Sequence, residues 1–148
     1  MKYFTREELL MGREIANPIT QEMSDNLDKL IEALDKVRHE YGKPLKVSSG
    51  YRPSAVNSSI GGAKNSAHMM CQAVDIVDKD GDFAEWVMNN LDFVEECGIL
   101  GIEDTRYTIT LDSKGNRSGG WVHLDLRGAK SGNLVFIPYS GPIKLKVV

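Results

Sequence analysis

Between Thr20 and Tyr41 the apolar residues Met23, Leu27, Leu30, Ile31, Leu34, Val37 and Tyr41 recur at helical spacing, and Gly42 with Pro44 ends the run. So regular a stripe must be covered, and the rest of the chain has to supply an apolar surface about six helical turns long. It does so in short pieces. Upstream, Thr5 followed by Glu8 reads as a capping box that opens a helix over residues 6 to 15, stopped before Asn17-Pro18. Downstream, "PLKVSSGYRP" reads as a short strand entering a turn at Gly50 and Pro53. Residues 54 to 67 form a Ser-, Asn- and Gly-rich loop with a short helical turn, and "QAVDIV" is a strand. Asp82 with Glu85 then caps a helix through Trp86, Val87, Leu91 and Val94 toward Gly98. "RYTITL", "GGWVHLDL" and "NLVFIP" follow as strands separated by the turn-rich "DSKGNRSG" and "RGAKSG". Helices first and strands bunched at the end predict an α+β fold, a small antiparallel sheet flanked by helices.

A chain of 148 residues fits one domain over 1–148 and buries most of its surface without staples. A net charge of −3 and a pI of about 5.6 argue against nucleic acid as a partner, since that requires a basic stripe. No apolar run is long enough for a membrane span or a signal peptide, so synthesis in a cytoplasm and no membrane partner are expected. Cys71 and Cys97 lack the C-x-x-C spacing and read as free thiols.

The chemistry gathers in two strands. Side chains alternate across a strand, so Ala73, Asp75 and Val77 share one face, and Trp121, His123 and Asp125 share another. If the two strands pair, His123 and Asp75 come within a side-chain length, and His68 can fold over from the preceding loop. Two imidazoles and a carboxylate are the ligand set of a catalytic zinc that keeps one position for water. Taken singly, each also reads as an ordinary hydrogen-bonded core or turn residue. His39, between Arg38 and Glu40 in the long helix, reads as a solvated surface residue.

"SGYRPSAVNSSIGGAKNSAHMMCQAVDI" followed by "GWVHLD" resembles the zinc D-Ala-D-Ala carboxypeptidase family, which includes VanY-type enzymes and the L-alanyl-D-glutamate endopeptidases of phage endolysins. Ser66, His68, Ala73 and Asp75 meet its S-x-H-x-x-G-x-A-x-D pattern, Trp121 and His123 its W-x-H, and Ser49, Gly50, Tyr51 and Arg52 its S-G-Y-R. The likeness runs from Phe4 to Arg127, and the leading F-T-x-x-E points to the phage and prophage branch. It implies a hedgehog-type peptidase fold and Zn2+ held by His68, Asp75 and His123. Arg52 is implied to steady the substrate carbonyl or the oxyanion that develops on it. The implied substrate is the peptide stem of peptidoglycan, cut by a monomer released to the cell wall without a signal sequence.

Two positions depart from that pattern. The family places a catalytic acid three residues before the last zinc histidine, and here that position is Gly120. Glu103, Asp104 and Asp125 are the candidate substitutes. Glu103 is preferred as the group that moves the proton, and Asp125 stands either in that role or as a partner that orients a zinc histidine. Cys71 replaces a glycine three residues after His68. As a fourth ligand it would close the site and make a silent structural or recognition module, and as a buried hydrophobe it would leave an enzyme, either an endopeptidase or a D-Ala-D-Ala carboxypeptidase.

Overall fold

The long apolar stripe forms helix α2, Gln21–Tyr41, in the computed structural model of the chain, which describes residues 2–137 and the backbone of 146–147. Thr20 caps it by accepting from Met23 N at 3.2 Å, and Gly42 closes it in the left-handed region at φ 80°. Helix α1, Arg6–Leu10, opens with the expected Thr5–Glu8 capping box. It is shorter than its sequence pattern because Met11 and Gly12 both take positive φ, which turns the chain out of the helix.

Strands β1 (Val47–Ser49) and β2 (Ala73–Val77) flank α3 (Ser54–Ser59) and a 3₁₀ turn, Ala67–Met70. The single helix expected from Asp82 to Gly98 is two, α4 (Asp82–Asn89) and α5 (Leu91–Glu96), broken where Asn90 leaves helical geometry and its Nδ2 donates to Trp86 O at 2.7 Å. Nor does Asp82 cap α4. Asp78 does, accepting from Phe83 N at 3.1 Å and Ala84 N at 3.0 Å. Then come β3 (Gly101–Glu103), β4 (Ile109–Leu111), β5 (Arg117–Asp125), β6 (Val135–Phe136) and β7 (Lys146–Val147). Pro138, the last residue of "NLVFIP", lies outside the described residues.

The strand order is β1-β2-β5-β3-β6, with β4 between β5 and β7. Pairing is antiparallel except at β3–β6 and β4–β7. The first exception has a simple cause: β6 runs opposite to the strand before it, β5, but β3 lies between them and is itself antiparallel to β5. Alternation divides the sheet. Val74, Ile76, Ile102, Val122 and Leu124 join Leu27, Leu30, Leu34, Val37, Phe83 and Val87 in one buried core. Their strand neighbours Asp75, Glu103 and His123 point away from it.

Candidate metal centre

Register brings the first pair together. Asp75 on β2 lies directly opposite His123 on β5, and His123 Nδ1 stands 3.0 Å from Asp75 Oδ1. His68 arrives from the 3₁₀ turn, which Ser66 caps by accepting from His68 N at 3.2 Å. Its Nδ1 lies 2.9 Å from Gly50 O, and a carbonyl can only accept, so this nitrogen carries the proton. That leaves Nε2 as the nitrogen facing the site, 3.3 Å from Asp75 Oδ1 and placed to bind a metal in exchange for its contact with the carboxylate. One donor atom from each of His68, Asp75 and His123 lies within 4.8 Å of the others, a set that suits Zn2+ with a position left for water or substrate.

Outer partners fix these groups. His123 Nε2 meets Asp125 Oδ2 at 2.8 Å, while Asp125 Oδ1 accepts from Arg127 N and Gly128 N at 3.0 and 2.7 Å. Burial alone would disfavour a charged His123 ring, but the hydrogen bonds and charges of Asp125 and Asp75 prevail and push its pKa up to about 10. Burial likewise works against the Asp75 carboxylate, yet hydrogen bonds from His123 and His68 hold it well below the usual carboxylate range. Arg52 donates through Nη2 to Asp75 Oδ2 and through Nε to Ser49 Oγ, both at 2.9 Å.

Glu103 ends β3, the strand that pairs Ile102 with Leu124, and it feels the charges of His123, Asp75 and Arg52. Burial raises its pKa despite a hydrogen bond with the Trp121 side chain. Asp104, by contrast, is committed to Arg106, whose Nη2 lies 2.7 Å from its Oδ2. Sequence reasoning missed Phe136, whose ring packs edge-on to His123 with centroids 5.9 Å apart. Only its place in a strand-like run was legible.

At Gly120 a Cβ would lie 2.7 Å from Thr108 O and 2.8 Å from Arg117 Nη2, so this backbone admits no acid there. Cys71 adopts φ 58°, which explains a glycine at that position, and its side chain is 1% exposed within the core. Burial pushes its thiol up to about 11, and it is not part of the ligand group. His39 is exposed and shares a hydrogen bond with Tyr3 Oη at 2.9 Å.

The profile of the peptidase M15 family matches residues 2–112, a span that contains His68, Asp75 and Glu103. The chain belongs to the peptidase M15 family. The zinc D-Ala-D-Ala carboxypeptidase of Streptomyces albus G is 46% identical over 44 residues, 29% of this M15 chain and 17% of that protein. The aligned stretch thus spans less than a fifth of that relative's length. Among solved structures, the L-Ala D-Glu endopeptidase ChiX of Serratia marcescens is similar with a TM-score of 0.43 and 21% identity, over 74% of this chain and 90% of that one.

Proposed function

We propose that this M15 chain is a zinc peptidase that hydrolyses amide bonds next to D-amino acids in the peptide stem of bacterial peptidoglycan. One observation carries the reading: His68, Asp75 and His123 converge beside Glu103 and Arg52 on the sheet face turned away from the core. His68, Asp75 and His123 would hold Zn2+, which once bound would supply polarisation of the scissile carbonyl and a water acidic enough to attack near neutral pH. Glu103, its pKa raised by burial, accepts the proton of the attacking water and hands it to the leaving amine as the C–N bond breaks. Arg52 keeps Nη1 without a hydrogen-bond partner among the described residues, which suits it to the developing oxyanion. Asp125 spends both oxygens holding His123 and the following turn, so we assign it orientation of the ligand and not proton transfer. The F-T-x-x-E opening supports a phage or prophage source, with action at the wall after release.

The test is a digest of purified peptidoglycan followed by mass spectrometry. New amino termini inside the stem identify an endopeptidase, and free D-Ala identifies a carboxypeptidase, the activity for which the Streptomyces relative is named. Zinc bound at about one ion per chain with no product at any pH would refute the hydrolase and favour the silent module, which the bare Gly120 permits.

A further inference from the structure

His68 is held by two consecutive peptide planes whose far sides are held by the N-terminal segment. In the first, between Gly50 and Tyr51, the carbonyl accepts from His68 Nδ1 at 2.9 Å and the N–H donates to Leu9 O at 2.8 Å. In the second, between Tyr51 and Arg52, the N–H donates to His68 O at 3.1 Å and the carbonyl accepts from Arg13 Nη1 at 2.8 Å. A peptide is rigid, so its carbonyl and N–H cannot turn independently. Whatever fixes Leu9 O and Arg13 therefore fixes both the ring and the main chain of His68.

We infer that the segment from Leu9 to Arg13, at the end of α1, is a positioning element of the metal centre. Leu9 O is one of the carbonyls that a helix end leaves without an intrahelical partner, and Tyr51 N–H satisfies it. Two hydrogen bonds in series across one amide polarise each other in the same sense. The pull of Leu9 O on Tyr51 N–H makes Gly50 O a stronger acceptor, which holds the proton on Nδ1 and leaves Nε2 the richer donor to a metal. The close approach also sets the residue type at position 50, because a Cβ there would lie 2.1 Å from Leu9 O.

The inference rests on reading His68 as a metal ligand, so its test has a readout that needs no metal. Replace Tyr51 in the full chain by its α-hydroxy acid, so that an ester removes the N–H and weakens Gly50 O as an acceptor. The control is the same change at Gly42, whose N–H donates to Arg38 O at 3.0 Å at the far end of α2. The metal-free natural chain should show a slowly exchanging His68 Nδ1–H resonance by 15N-edited NMR. The ester at position 51 should lose that resonance and bind zinc about tenfold more weakly or worse in chelator competition, whereas the control keeps both. Arg13→Ala, which removes the donor to Tyr51 O, should weaken zinc binding several-fold, with Arg13→Lys recovering it. An unchanged resonance with the ester in place overturns the inference, as does zinc affinity unchanged in both the ester and Arg13→Ala. A natural chain that takes up no zinc sinks the proposed function instead, and the resonance alone then decides this inference.

Discussion

In the proposed mechanism Asp125 and Glu103 take different tasks because their surroundings differ. Asp125 accepts from His123 and from two backbone N–H groups, so its charge is fully engaged. Glu103 is half-buried, and burial outweighs its hydrogen bond with Trp121 and the nearby positive charges, so it sits at a raised pKa, the condition for a group that must both take and return a proton. Glu103→Gln should lower kcat by about 10²- to 10⁴-fold with zinc content unchanged. Asp125→Asn should weaken zinc binding by about 10- to 100-fold and keep most of kcat once zinc is saturating. Reversal of these two patterns, seen by metal analysis beside steady-state rates, would exchange the roles. Cys71 makes a separate prediction. Its thiol keeps its proton up to about 11 in the fold against 9.0 when unfolded, so its contribution to stability is whole below pH 9 and is lost as the pH climbs through 11. Cys71→Ala should therefore flatten the alkaline fall in denaturant melts and still bind zinc, and a slope equal to the natural chain's would refute the assignment.

At the scale of elements, β2 and β5 were legible because Val74 and Ile76 flank Asp75, and Val122 and Leu124 flank His123, so a one-residue slip would drive Asp75 and His123 into the core. The approach of Glu103 was not derivable in the same way, since it depends on β3 choosing β5 as its neighbour, a pairing across the sheet that no local pattern encodes. The start of α4 shows a second limit. Asp82 and Glu85 have the local signature of a cap, but Asp78, in the turn after β2, reaches the free N–H groups first and also lies 3.8 Å from Arg117 Nη2. Asp78→Ala should cost about 1–2 kcal/mol in urea melts through the lost cap, with zinc affinity unchanged. A loss of zinc binding there would mean that the sheet face carrying the site depends on the α4 junction.

Across the whole molecule, the candidate ligands join three separate pieces of chain: the 3₁₀ turn, β2 and β5. Only the native arrangement brings them together, so a metal bound there stabilises the fold by mass action and does little for the unfolded chain. At free zinc about 1,000 times Kd the gain is about 4 kcal/mol, and for a chain of this length each kcal/mol moves Tm by about 2–4 °C. A chelator should thus lower Tm by about 8–16 °C at that starting ratio. Secondary structure should survive, because the core under α2 does not include the ligand face. His123→Ala should bind no zinc and melt at one temperature with or without chelator. A chelator shift that persisted in that variant would place the stabilising metal elsewhere, and scanning calorimetry of the two proteins side by side measures the difference directly.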